Sequence, residues 1–536
     1  MEEKFYDEDE SNFVNSENLR NTKETQKTLW ERVEHPQINH IPVSDVDNCE
    51  TPLEYFKKFF SEDLLKEICL QSNLYSCTKY PNQPLGLTPI EFEQWLGIFI
   101  LMSITRILNS RLHWSSFAFN DEISSIMTRK RWEEIRLNLH LGDNTTISQN
   151  DELSKVRLLI DHLRSKFNKI PMLENLCVDE QIVPFKGGFT TKQYIENKPH
   201  KWGYKIFILA DNEGLIYDFF PFTGTIPGID RFDVPDLGVG SNPVLQLCEV
   251  IPDHKDHKIY FDNWLTSFKL VDHLATRRIW ASGTIQACPL PSLSSKNDKQ
   301  LENPGCGIFD EQQINSQGFI QSVMKQLDNT AVCLSSSFLT SEPTLSFRKY
   351  DKVAKTFADV SVPNIISEYN KNITGVDQHS QQSYYRMSFR SKKYYIRLIF
   401  HLIDMTIVNS WKLLQRKEAK RKVDYSKRIS LNEFKKKLSQ SLMFSNKDIP
   451  KKRWFPSEES VQEQYEKKKK LSNATKPLPE KATRTDGTEH WPSFHKTRGT
   501  CKYPGCSAKK YMYCMKCQVH LCCDREKNCF LAFHKH

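Results

Sequence analysis

Three acidic residues stand in or beside short apolar runs, and the first reads as the most expensive. Asp179 interrupts Leu176-Cys177-Val178-Asp179-Glu180-Gln181-Ile182-Val183-Pro184-Phe185, a run that otherwise reads as a buried β-strand. Asp262 ends the short apolar run Ile259-Tyr260-Phe261, and Asp377 follows Gly375-Val376 ahead of a helical stretch. A carboxylate in apolar surroundings carries a desolvation cost unless a partner offsets it. Metal ions are one such partner. Phosphodiester cleavage by two-metal catalysis needs carboxylates from distant sequence to hold the ions on both sides of an in-line attack. Mg²⁺ keeps several waters and completes its shell with substrate phosphate, so a few acids suffice. Two strand ends and a helix start can bring such acids together. The chain holds 66 Asp and Glu, most of which must be solvated or cap helices, so carboxylate spacing alone is a weak motif.

A second set of residues lies at the end of the chain. Of 15 Cys, seven fall between Cys501 and Cys529, while the others, such as Cys177 and Cys248, are scattered and read as buried free thiols. The tail runs Cys501-x4-Cys506, Cys514-x2-Cys517, then Cys522 or Cys523, Cys529 and His534. Paired thiolates at this spacing with a terminal His are a structural zinc signal. Met1-Glu2-Glu3-Lys4 opens no apolar signal region, so zinc rather than a disulfide framework is expected.

The words around the acids resemble the piggyBac family of DDD transposases and the cellular proteins derived from them. They are Val178-Asp179-Glu180-Gln181, Asn197-Lys198-Pro199-His200-Lys201-Trp202-Gly203, Phe261-Asp262-Asn263-Trp264 with Thr266-Ser267, Gly375-Val376-Asp377, and Arg390 followed by Lys392-Lys393-Tyr394-Tyr395, in the family's order. The lead-in Leu139-His140, Asp143-Asn144 and Lys155-Val156-Arg157 also fits. The resemblance implies that Asp179, Asp262 and Asp377 form the catalytic triad of an RNase H-like fold holding two Mg²⁺ ions. They would nick DNA, form hairpins on the element's ends and join them to TTAA targets. Lys198, Lys201, Arg390, Lys392, Lys393 and Tyr395 would contact DNA, Tyr395 by stacking on an unpaired base. A homodimer on double-stranded DNA is implied as well.

Two positions depart from the family pattern: Ser380 stands where a further acid is common, and Tyr394-Tyr395 where Trp is frequent. The resemblance also supplies an eighth zinc ligand, His490 in His490-Trp491-Pro492, with His495 and His520 as rivals. A cross-braced module with two structural zinc ions, serving recognition of terminal DNA, follows from it.

Composition sets the frame. With 536 residues, 38% of them hydrophobic, the chain can bury several cores. The longest apolar run, Trp95 to Ile104, is far short of the ~20 residues of a membrane span, so no membrane partner is expected. The net charge of +9 conceals an acidic start, with 13 acids against 5 Lys and Arg in residues 1–50, and a basic stretch over 411–480, with 20 Lys and Arg against 9 acids. Its clusters are Arg416-Lys417, Lys420-Arg421-Lys422, Lys435-Lys436-Lys437, Lys451-Lys452-Arg453 and Lys467 to Lys470, which suit phosphate backbones and nuclear import.

Local patterns locate the elements. Thr88-Pro89-Ile90-Glu91 reads as a capping box opening a helix through Ile107. Arg129, Lys130, Arg131 and Arg136 line a second helix, Arg131 to Leu141. Trp202 to Asp211 and Leu215 to Phe220, joined by Asn212-Glu213-Gly214, read as a hairpin in which Asp211 has a structural role. Tyr394 to Gln415 reads as an amphipathic helix on the outside of the core. The 114 residues between Asp262 and Asp377 leave room for an insertion.

The expected architecture is therefore an α/β multidomain chain. It has a disordered acidic N-terminus (1–48), a helical DNA-binding and dimerisation domain (49–148), and an RNase H-like catalytic core (149–287 and 361–415) split by an insertion domain (288–360). A basic helical segment and linker (416–487) and a zinc-binding cysteine-rich domain (488–536) follow. The expected function is a nuclear, Mg²⁺-dependent transposase. The alternatives are a domesticated DNA-binding protein with little or no cleavage and, as a third class, a general RNase H-like nuclease.

Overall fold

The computed structural model describes residues 49–82, 84–105, 107, 109–115, 121–142, 151–185, 187, 193–194, 201–224, 235–285, 309–316, 319–327, 331–351, 356–382, 391, 393–444 and 478–535. The acidic start, the clusters at 451–453 and 467–470, and Lys198, Arg390 and Lys392 lie outside them. The chain divides into a unit ending at Asp448 and a second beginning at Ile449.

The first unit is organised by one mixed sheet. Its strands are β1 (Asn175–Pro184), β2 (Gln193–Tyr194), β3 (Trp202–Asp211), β4 (Ile216–Pro221), β5 (Lys258–Phe261), β6 (Trp280–Ile285), β7 (Phe309–Ser316), β8 (Phe319–Leu327) and β9 (Ala331–Ser336). They lie in the order β2-β3-β1-β5-β6-β9-β8-β7, with β4 also on β3. β1, β5 and β6 are parallel; β3 and β4 on one side and β9, β8 and β7 on the other run antiparallel to their neighbours. β3 is buried at every position after Trp202, as a strand covered on both faces requires, with Lys205 and Asp211 the charged residues among its apolar ones.

The hairpin reading holds, with Gly214 at φ 89° completing the turn into β4. Asp211 is wholly buried and structural: its carboxylate accepts from the Glu213 and Leu215 amides and the Tyr217 hydroxyl, and it pairs with Arg416.

Among the described residues of the segment expected as an insertion domain, β7, β8 and β9 continue the main sheet through β6, and β10 (Leu345–Asp351) and β11 (Thr356–Val362) form a separate ribbon. Without β9, the β6 edge would present bare backbone groups, and continuing the sheet removes that edge.

The helix at Tyr394–Lys420 differs from expectation. It is buried at every position from Leu398 to Ser410 rather than amphipathic on the outside. On one side Asn409 grips β4, donating to the Ile216 carbonyl and accepting from its amide. On the other, Phe400 stacks on Phe99 and Trp95, and Ser410 donates to the Tyr55 carbonyl. The helix is thus the layer between the sheet and the N-terminal helices.

Among those helices, Pro89–Thr105 begins at Thr88, whose hydroxyl accepts from the Glu91 amide. The other half of the expected box is absent, because the Glu91 carboxylate forms a two-point pair with Arg131. The next helix is Arg129–Asn138, capped by Thr128, so it starts and ends earlier than read. Two of its four basic residues are engaged within the fold: Arg131 by Glu91 and Glu134, Arg136 over the Trp132 ring.

The basic stretch after residue 411 likewise supplies structure. Arg416 pairs with Asp211, Lys417 and Arg421 with Glu50, and wholly buried Lys435 with Asp404 at 3.5 Å. The helix Leu431–Met443 within the basic segment packs into the fold: Ser439 donates to the Gly97 carbonyl, and a Cβ at Gly97 would run into Met443. Breaking a buried ion pair strands the remaining charge. Lys435→Met should therefore cost about 3 kcal/mol in a denaturant titration, and the double variant Lys435→Met/Asp404→Leu should recover most of it.

Burial also holds His113, His162, His257 and His273 below the ordinary imidazole value. The unfolded chain takes up protons as pH falls below about 6.5, whereas the folded chain resists. Stability present above that pH is therefore lost on acidification. Thermal unfolding at pH 7.5 and 5.5 should show a lower midpoint at the acid value, with His257→Gln removing part of the difference.

No helix among the described residues is long and apolar enough to cross a membrane.

Candidate functional site

β1 and β5 place the first two acids side by side. Val178 is in register with Phe261 on strands that lie about 5 Å apart, so Asp179 and Asp262 each follow directly on the last paired residues of β1 and β5. The two side chains are held alike. The Glu180 amide donates to Asp179 Oδ1, and the Asn263 amide to Asp262 Oδ1, both at 2.7 Å. The turn after Asp262 is closed by Thr266 and the Leu265 amide, both donating to its carbonyl.

Asp377 is carried by the helix Gly375–Gln382, which packs on the same sheet. A Cβ at Gly375 would collide with the Asp211 carbonyl and the Cys177 sulfur, so only glycine lets the helix start this close to the sheet. Further along, Gln181 donates to the Ser380 hydroxyl at 2.7 Å. Cys177 and Gln181 flank Asp179 on alternate residues of β1, so the stretch carrying Asp377 runs alongside Asp179. Ser380 is therefore part of a lock between helix and strand. His401 completes it by donating to Gln181 Oε1 at 2.8 Å. The three carboxylates do not close into a cage: among the described residues, only two groups have all their ligand atoms within 4.8 Å of one another, and both are in the tail.

Those two groups are Cys501, Cys506, Cys522 and Cys529, and His490, Cys514, Cys517 and His534. Their members alternate along the chain, which is the cross-braced arrangement. β12 (Pro492–Thr500) pairs antiparallel with β13 (Lys509–Cys514), and the helix Cys529–Lys535 brings His534 back. The core of this unit is Cys501, Cys514, Cys517, Cys522 and Cys529 with Val519, Leu521 and Phe533, too little apolar surface to fold a domain by itself.

The geometry fits tetrahedral zinc. With Zn–S near 2.3 Å and Zn–N near 2.0 Å, tetrahedral edges are about 3.8 Å between sulfurs and about 3.5 Å between nitrogen and sulfur. Cys506 and Cys522 lie 3.7 Å apart, His490 Nδ1 lies 3.4 Å from Cys514 and 3.5 Å from Cys517, and His534 Nε2 lies 3.5 Å from Cys517. The far nitrogens are anchored: His490 Nε2 donates to Asp486 at 2.9 Å and His534 Nδ1 to the Phe530 carbonyl at 2.8 Å, which turns the bare nitrogen of each ring inward. The Ala508 amide and the Cys522 thiol hold Cys506 below the usual thiol value.

Cys522 is buried in its group while Cys523 is exposed, His495 bonds Thr497, and His520 lies against Gly499. Asp486, fixed in turn by Lys516, escaped the sequence reading; its one signal is a position four residues before His490.

The residues expected to touch DNA are placed unequally. Tyr395 is buried, edge-on to His140 and Tyr394, so its ring is not presented to a base. Lys393 lies over the Tyr75 and Tyr395 rings. Lys201 is exposed and lies over Tyr194, which forms an exposed aromatic pair with Trp202.

The fold is that of a transposase. The chain superposes on a structure titled as a piggyBac transposase synaptic complex with hairpin DNA, with a TM-score of 0.62 at 20% identity, covering 89% of this chain and 97% of that one. The model of the family described as Transposase IS4 matches residues 51–411, and the chain belongs to that family, in its piggyBac type. Human relatives include PiggyBac transposable element-derived protein 3, 32% identical over 369 residues, and PiggyBac transposable element-derived protein 2, 28% identical over 371. Each match covers 68% of this chain and 61% of the relative, so the chain spans about three fifths of their length.

Proposed function

We propose that this protein is a DNA transposase of the piggyBac type. It would cut element ends by metal-dependent hydrolysis and transesterification through hairpin intermediates, and join them to TTAA sites. The observation that carries the reading is the position of Asp179 and Asp262, directly after the last paired residues of adjacent parallel strands, with the helix of Asp377 packed on the same sheet. The parallel β1, β5 and β6 with flanking antiparallel strands support an RNase H-like core.

Oxygen donors that leave coordination positions open suit Mg²⁺, which takes one or two carboxylates and the substrate's phosphate rather than an all-protein cage. Two such ions, held by Asp179, Asp262 and Asp377, would stabilise the attacking and leaving oxygens of an in-line displacement. The protein's own part is orientation. Asp179 and Asp262 each commit one oxygen to the following amide, which fixes the carboxylate plane before substrate arrives.

In the tail, Cys501, Cys506, Cys522 and Cys529 would hold one Zn²⁺, and His490, Cys514, Cys517 and His534 a second, completing a domain for recognition of terminal DNA. Lys201 and the basic clusters beyond Asp448 are the candidate contacts to DNA backbone, with the same clusters serving nuclear import; a homodimer is the proposed assembly.

The test uses the purified full chain and linear DNA carrying candidate ends beside TTAA, resolved on denaturing gels. Nicked and hairpin products that form with Mg²⁺ and vanish with EDTA are expected. Cleavage without hairpins, or equal cutting of unrelated RNA, would overturn this reading in favour of a general nuclease. A second reading, a domesticated DNA binder with little cleavage, is favoured by Ser380, whose hydroxyl is engaged by Gln181 at the position where the resemblance implies a further acid. Binding of the same ends without any cut product would select it.

A further inference from the structure

β6 brings a hydroxyl to the candidate centre. Gly283 is in register with Phe261, so Thr284 stands beside Asp262. A Cβ at Gly283 would run into Thr266 and the Phe261 ring, which is why a glycine precedes it. Thr284 Oγ1 donates to Asp262 Oδ1 at 3.2 Å and lies 3.3 Å from the Tyr369 hydroxyl. Tyr369, largely buried on the helix Asn364–Asn372, also donates to the Phe261 carbonyl at 3.4 Å.

From this geometry we infer that Thr284 and Tyr369 are positioning residues for Asp262, a hydroxyl couple that sets the orientation of its carboxylate for a divalent cation. The inference rests on the metal reading of the three acids. Asp262 Oδ1 already accepts the Asn263 amide at 2.7 Å, so the Thr284 hydroxyl is its second donor. One oxygen held by two donors directs the other outward, and among the described residues Asp262 Oδ2 has no hydrogen-bond partner. Thr284 spends its proton on Asp262, and the Tyr369 oxygen 3.3 Å away, itself held by its donation to the Phe261 carbonyl, packs against the Thr284 hydroxyl and limits its rotamer. Burial, and the nearby charges of Asp262 and Asp179, push the Tyr369 phenol up, so it stays a donor throughout the working pH range. Outer partners of metal-binding carboxylates act through ligand orientation, and their loss weakens metal binding about tenfold or more.

The test is Mn²⁺ binding to the zinc-saturated full chain, followed by electron paramagnetic resonance, which needs no cognate DNA. Asp262→Asn should abolish one class of bound Mn²⁺. Thr284→Val, which keeps the side chain's shape, should weaken that class about tenfold. Thr284→Ser should restore it and Tyr369→Phe should weaken it less, all with unchanged unfolding temperature. Wild-type binding by Thr284→Val, with loss in Asp262→Asn, overturns the positioning role and leaves the metal reading standing. Wild-type binding by Asp262→Asn overturns both. Should Thr284→Val fail to fold, Tyr369→Phe carries the same comparison, and its wild-type binding would equally overturn the couple.

Discussion

Asp179→Asn, Asp262→Asn and Asp377→Asn are each expected to reduce strand cleavage by at least about a thousandfold, an effect of roughly 4 kcal/mol on the barrier. The substitution keeps shape and removes charge, so the folded chain should survive. Asp262 is exposed at the end of β5 and Asp377 is exposed on its helix, so neither contributes core packing. Asp179 is half-buried and accepts the Glu180 amide, a bond that the Asn carbonyl oxygen can retain. Unchanged thermal unfolding with lost nicking is the expected pairing for all three. Nicking at the wild-type rate by any one would remove that residue from the mechanism. Asp211 and Asp218 provide the contrast: both are wholly buried and paired, with Arg416 and Arg164, so their loss should appear in stability first.

Removal of zinc should have the second large effect, and a local one. The tail's core is mostly sulfur, so little apolar burial remains to hold β12 against β13 without the ions. Structural zinc contributes on the order of 10 kcal/mol to such domains, more than most domains have in total. After chelation, proteases should cut freely within 490–535 while the unit ending at Asp448 keeps its digestion pattern and unfolding transition. Metal analysis should give two zinc ions per chain. Cys522→Ser should lower that count and open the tail, whereas Cys523→Ser, at an exposed sulfur outside both groups, should leave it intact. A tail that resists protease after chelation would show that something other than metal holds it.

The residues legible beforehand share one property: their chemistry imposes short, local spacing. Thiolates three to five residues apart form knuckles, so the pairs Cys501/Cys506 and Cys514/Cys517 were legible from spacing, whereas His490 came only from the family resemblance and the choice between Cys522 and Cys523 stayed open. Asp179 and Asp262 were conspicuous for interrupting or ending an apolar run, but it was the surrounding family words, not the runs, that grouped them with Asp377. Pairings set by the folded chain were not. Arg416, Lys417 and Lys435 looked like free positive charge, yet Asp211, Glu50 and Asp404, distant in sequence, claim them. Tyr395 looked like a stacking residue, but the long helix carries it into the core. In the 288–360 segment, a polar, turn-rich sequence does not reveal that β9 will meet β6. Thr284 and Tyr369 carry no motif at all, since a single hydroxyl acquires meaning only from what lies 3 Å away.

The most direct measurement is excision of a marked DNA segment, flanked by TTAA and candidate ends, in cells expressing this protein or its Asp262→Asn variant. Precise excision with the wild type and none with the variant is the expected result, and it would make Ser380 a tolerated departure. Excision that persists in Asp262→Asn, or ends that are bound in vitro but never excised, would contradict a catalytic centre built on these three acids.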